Sequence, residues 1–154
     1  MLGRMTRPES ETGSHSLAEH GSARLSRVWQ LELPYTSPPL TFNQLNGRHW
    51  SATAKVRRGL HETAFYLSRS GRMPRPVPKP VTIELIYWPG NNTVHDSDGL
   101  FVTVKYLVDG LRRAGVLTDD RGRYVRSTIC TVIERADDPE DRADARMLLV
   151  VREL

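Results

Sequence analysis

The sequence offers little sulfur chemistry. Cys130 is the only cysteine in 154 residues, so the chain cannot close an internal disulfide or build a thiolate metal cluster from its own residues. That excludes a disulfide scaffold and a zinc finger. Long apolar runs are missing too: none approaches the roughly 20 residues that span a bilayer, so a membrane protein is not expected. There is no continuous apolar stretch after Arg4, and a secretory signal is not expected either. Aromatic residues make up only 7% of the chain and mean hydropathy is −0.47, which suggests that part of the chain stays out of the core. Length favours one domain.

The charge that is present is unevenly spread. The net charge of +4 and the isoelectric point of about 9.6 permit a polyanionic partner without requiring one. Between Arg48 and Lys79, eight basic residues (Arg48, Lys55, Arg57, Arg58, Arg69, Arg72, Arg75 and Lys79) face Glu62 alone. Further on the balance reverses: Glu134, Asp137, Asp138, Glu140, Asp141 and Asp144 face only Arg135 and Arg142. A solvated face and a nucleic-acid surface explain the basic stretch about equally well. On the second reading Arg48, Lys55, Arg57, Arg58, Arg69 and Arg72 contact DNA phosphates.

Residues 1–25 carry Gly, Ser, Thr, Glu and Arg without apolar periodicity and read as a flexible tail, leaving 26–154 as the folded domain. Alternation over Val28–Leu33 predicts a half-buried strand that Pro34 closes. Tyr35–Asn43 is expected to be extended or turning around Pro38 and Pro39. A helix fits Ser51–Ser68, with Ala54, Leu60, Ala64 and Leu67 on one face and Gly71 at its end. The proline-rich link 72–80 leads into a strand over Val81–Trp88. A second helix is expected from Ser97 or Asp98 to Ala114, ended by Gly115 as a left-handed cap. Strands over Tyr124–Glu134 and Arg146–Arg152 follow, joined by the acidic loop. The expected fold is α+β: a small mixed sheet covered by two main helices.

Asp96-Ser97-Asp98 sets two carboxylates at a helix start, where capping explains at least one of them. At about 100° per residue, Asp98, Val102, Lys105 and Asp109 fall within about 60° of one another, and Leu100, Val104, Leu107 and Leu111 fall opposite. The leucine side is expected to be buried, and Asp98, Lys105 and Asp109 to point outward. A Lys105 to Asp109 pair on an exposed helix would explain this stripe without function. Asp119 and Asp120 follow the helix end. Clustered carboxylates repel one another unless a cation sits among them, and all-oxygen ligation favours magnesium or manganese.

Asp96-Ser97-Asp98-Gly99-Leu100, Lys105-Tyr106-Leu107-Val108-Asp109-Gly110-Leu111 and Ala114-Gly115-Val116-Leu117-Thr118-Asp119-Asp120 together resemble the RusA family of Holliday junction resolvases. Leu33-Pro34-Tyr35, Pro38-Pro39-Leu40-Thr41-Phe42-Asn43 and His49-Trp50 are similar to its opening segment, especially in phage-type and actinobacterial members. The resemblance runs over about residues 29–152. It implies a homodimeric, magnesium-dependent endonuclease (crossover junction endodeoxyribonuclease) that cuts four-way DNA junctions in recombination and repair, in the cytoplasm of a bacterial or phage-infected cell. By motif, Asp96, Asp98 and Asp120 match the metal-binding carboxylates and Lys105 the catalytic lysine, with Asp109 and Asp119 in support. Two departures stand out. Gly99 occupies the position of the motif's asparagine, and the interval from Asp98 to Lys105 is longer than in familiar members. A catalytically impaired DNA-binding relative and a metal-dependent hydrolase of small phosphate esters are the alternatives. His95 is expected to be an exposed loop residue, Trp50 to pack at a helix entry, Trp29 and Trp88 to be strand residues, and Cys130 to be small and buried. Asn43, Arg48 and His49 are candidates to line a DNA path.

Overall fold

A computed structural model describes residues 26–47, 49–138, 140 and 144–154. The expected tail, 1–25, and Arg48 lie outside these described residues, as do Asp141 and Arg142 of the acidic loop.

Four strands form one mixed sheet in the order β1-β4-β2-β3: β1 Val28–Leu33, β2 Val81–Trp88, β3 Val125–Val132 and β4 Arg146–Glu153. β4 pairs antiparallel with β1 (Val28 opposite Arg152) and with β2 (Val81 opposite Glu153). β2 and β3 are parallel, with a register irregularity between Val81 and Thr82. Val81, Ile83 and Leu85 of β2 and Met147, Leu149 and Val151 of β4 alternate along the central strands and are fully buried, as alternating side-chain direction requires. The opposite face carries polar pairs: Glu84 accepts hydrogen bonds from Thr131 Oγ1 at 2.9 Å and Arg152 Nη1 at 3.1 Å.

Three α-helices complete the fold: α1 Phe42–Gly47, α2 Trp50–Ser70 and α3 Leu100–Arg113. Parallel strands cannot be joined by a hairpin, and the crossover from β2 to β3 contains α3. The helices pack on the inner face of the sheet, where Leu60, Ala64, Leu107 and Leu111 join the strand residues in one core. α2 and α3 approach closely at Gly110. A Cβ placed there would lie 2.8 Å from Ala64 Cβ and 2.9 Å from both the Cα and the carbonyl oxygen of His61.

Both long helices end in Schellman-type closures. At α3, Gly115 takes φ 77° as expected, while Val116 N–H donates to Leu111 O at 3.0 Å and Gly115 N–H to Arg112 O at 3.0 Å. At α2 the glycine is one place early: Gly71 has φ −74° and Arg72 takes the left-handed conformation, φ 51°. Met73 N–H to Ser68 O and Arg72 N–H to Arg69 O, both 3.0 Å, complete that closure. The proline-rich link is tied down by Arg75, whose Nε donates to Ala114 O at 2.9 Å, and by Val77 N–H, which donates to Val116 O at 2.9 Å.

Three expectations need correction. Phe42 and Asn43 open a short helix and do not extend the turning segment, because two prolines constrain only the residues beside them. Leu45 N–H donates to Thr41 O at 3.0 Å, and Thr41 N–H is capped by Gln44 Oε1 at 3.2 Å. The single helix from Ser97 or Asp98 is in fact a 3-10 turn, Ser97–Gly99, followed by α3. Trp50 does not pack inside; it is 71% exposed.

Candidate functional site

The chain leaves β2 through a turn and reaches Asp96, whose Oδ1 accepts the Asp98 N–H at 2.9 Å. This N-cap satisfies a donor that the 3-10 turn leaves open, so Asp96 has a structural role whatever else it does. It lines a cavity of about 290 Å³ with His95, Tyr87, Thr41 and Gln44. His95 is half-buried and committed: its N–H donates to Glu134 Oε1 at 3.0 Å, its Nε2 lies 3.1 Å from Asn91 Oδ1, and its ring meets Tyr87 edge-on.

Asp98 is exposed and faces β3. Burial, and secondarily the negative charge of Asp98, push the Cys130 thiol up to about 12, which makes Cys130 an inert, half-buried packing residue. Two residues back on the same strand, Thr128 lines a cavity of about 510 Å³ with Lys105 and Asp120. Its remaining walls are apolar, among them Phe42, Leu45, Phe101 and Val125. Thr103 Oγ1 donates to the Leu40 carbonyl at 2.7 Å and so fixes the segment before α1 against α3. Phe42 is 53% and Phe101 40% exposed, unusual for rings that adjoin a core.

The return from α3 delivers two acids with different duties. Asp119 Oδ1 accepts the Asp120 N–H at 2.8 Å, and Asp119 Oδ2 pairs with Arg121 Nε at 3.0 Å. Hydrogen bonds from Asp120, first through its side chain and then its backbone, hold the Asp119 carboxyl below the ordinary range, with Arg121 and Arg112 adding to the effect. Asp119 therefore organises the loop, and Asp120 reaches the cavity that Lys105 also lines.

The expected Lys105 to Asp109 pair is not formed. Asp109 instead pairs with Arg112 Nη2 at 3.7 Å, one turn along. Among the described residues no three His, Cys, Asp or Glu side chains form a group able to hold a metal ion. Asp96 and Asp120 line different cavities, and Asp98 lines neither, so the three do not make a closed ligand set. In kind, the donors suit a hard cation, since all are oxygens, and magnesium commonly takes only one or two carboxylates beside waters and substrate phosphate. The residues fit such an ion in chemistry; they do not form a cage for it.

The basic residues of α2 do not form a single stripe. Arg57 sits 5.7 Å over the Tyr106 ring and Arg69 4.8 Å over Phe65. Lys55 and Arg58 are exposed, and Arg72 terminates the helix. His49 caps α2, its Nδ1 accepting the Ser51 N–H at 3.4 Å. Asn43 lies exposed on α1. Sequence reasoning missed Arg113, His61, Thr128 and the two phenylalanines. Arg113 meets Arg57 and Arg58 only because α2 and α3 pack together, and no spacing within one helix signals that.

A cavity of about 750 Å³ between the end of β1 and α2 carries Glu32 and Glu62 and no basic side chain, so it does not suit an anionic substrate. No family model matches the chain, and no curated protein matches it. No helix among the described residues is long and apolar enough to cross a membrane.

Proposed function

We propose that this chain is a divalent-metal-dependent endonuclease acting on branched DNA, of the resolvase kind its motifs resemble. The observation that carries the reading is that Lys105 and Asp120, 15 positions apart in sequence, line one cavity, while the 3-10 turn that carries Asp98 touches the same strand, β3. A phosphodiester lying across this end of α3 would meet a cation and carboxylate oxygens together.

Lys105 makes no ion pair among the described residues, so its ammonium is free to neutralise a phosphoryl oxygen and to protonate the leaving oxygen. Asp98 and Asp120 offer carboxylate oxygens, and Asp119 holds the loop that presents Asp120. Asp96 sets the turn that presents Asp98. A bound divalent ion supplies Lewis acidity toward the phosphate and lowers the pKa of a water molecule. Two related nicks on a two-fold substrate call for two related sites, hence a homodimer.

The test is incubation with a synthetic four-way junction and a matched linear duplex, with magnesium or EDTA. The expected result is cutting of the junction alone, and only with magnesium. Gly99, standing where the motif has an asparagine, is the ground for a second reading, a DNA-binding relative without activity. Salt-sensitive junction binding with no cutting under any divalent ion would establish that reading and refute the first. Magnesium-dependent turnover of a small phosphate ester with no affinity for DNA would refute both.

A further inference from the structure

Between α2 and α3, away from Asp98 and Asp120, lies a cavity of about 290 Å³ lined by Ala54, Arg57, Arg58, His61, Tyr106, Asp109 and Arg113. A second of about 270 Å³ shares Arg58, His61 and Arg113 and extends along the same groove past Glu62. Three arginines face one aspartate in the first cavity, and that aspartate is already engaged by Arg112. Arg58 and Arg113 are exposed, and neither makes a hydrogen bond or ion pair among the described residues. His61 Nε2 is buried with no hydrogen-bond partner, a state that protein interiors avoid.

We propose that this groove binds a phosphodiester, with Arg58 and Arg113 forking its anionic oxygens, Arg57 behind them over Tyr106, and the His61 imidazole as the inner wall. Guanidinium groups suit this ligand because their planar donors match two phosphate oxygens at once. At about 290 Å³ the cavity has room for a phosphate and its flanking carbons. As a DNA contact it rests on the endonuclease reading. Neither Lys105 nor Asp120 lines it, so it would hold a backbone phosphate other than the one being cut.

The groove carries a proton-linked signature. Burial lowers the pKa of His61, as do the charges of Arg113 and Arg57, against the opposing effect of Asp109. Arg58 and Glu62 complete the charged groups that line the two cavities with it. An anion held by the arginines offsets their repulsion of the imidazolium and offers a hydrogen-bond acceptor, so binding raises the His61 pKa. By linkage the anion then binds more tightly as pH falls, by at most about tenfold per pH unit for one proton.

The test follows the His61 ring by NMR as pH is varied, in the full chain in EDTA. Dimethyl phosphate, a phosphodiester that does not titrate in this range, is one probe and an intact four-way junction is the other. The expected result is a raised His61 pKa with both probes, lost in the doubly substituted Arg58→Gln, Arg113→Gln chain, whose affinity for dimethyl phosphate falls about tenfold or more. Both substitutions are at exposed positions, and an unchanged far-ultraviolet spectrum controls for folding. A His61 titration that neither probe moves overturns the proposal, as does a shift that survives the double substitution. Magnesium-dependent cutting is scored separately: cutting without a His61 shift removes the groove and leaves the endonuclease, and a shift without cutting does the reverse.

Discussion

Gly110→Ala isolates the contact that holds the two helices together. Alanine is favoured over glycine inside a helix by about 1 kcal/mol, so an open position would gain from the change. At Gly110 the new methyl carbon would stand 2.8 Å from Ala64 Cβ and 2.9 Å from two backbone atoms of His61, against about 3.5–4.0 Å for a comfortable contact. None of these obstacles is the tip of a flexible side chain, so α2 and α3 must move apart along a fully packed seam. Overpacking of this kind costs about 1–3 kcal/mol; at the upper end, less the helical gain, the net loss is about 2 kcal/mol. For a chain of 154 residues that corresponds to a Tm lower by about 4–8 °C. Thermal unfolding followed by circular dichroism measures it. Gly59→Ala in α2 is the control, because nothing lies within 4 Å of its would-be Cβ, and it should raise Tm. A Gly110→Ala chain as stable as the parent, or one stabilised as Gly59→Ala is, would refute the close crossing.

Three other outcomes follow from particular residues. Lys105 is exposed and unpaired, so Lys105→Ala should leave Tm within about 1 °C yet slow single-turnover junction cutting by about a hundredfold or more; near-normal cutting would remove Lys105 from the chemistry. Arg72 pays the cost of left-handed backbone, so Arg72→Gly should stabilise the chain by about 1 kcal/mol in urea unfolding, and unchanged or reduced stability would count against the φ 51° closure. The folded-state pKa of His61 is lowered, so as pH falls below about 6.5 the unfolded chain takes the proton first and stability declines toward the folded pKa. Replacement by Gln should flatten that decline, and an unaltered pH profile would place its cause in other groups.

Local pattern determined much of this protein. Alternation marked β1, because a strand with one buried face must alternate wherever it sits, and the expected bounds of all four strands fall within two residues of those observed. Gly115 announced the end of α3, since only glycine enters the left-handed region without strain. The Asp96-Ser97-Asp98 run announced a helix start, where backbone donors need side-chain acceptors. The third dimension decided the rest. Strand order is a matter of which edges meet, and nothing within β4 says that it lies between β1 and β2. α1 escaped notice because six residues hold too little periodicity to outweigh two neighbouring prolines. Arg57, Arg58 and His61 became one groove with Arg113 only when Gly110 let α2 and α3 touch. Asp120 and Lys105 came to line one cavity because the Schellman turn after α3 sends the chain back beside the helix it has just left.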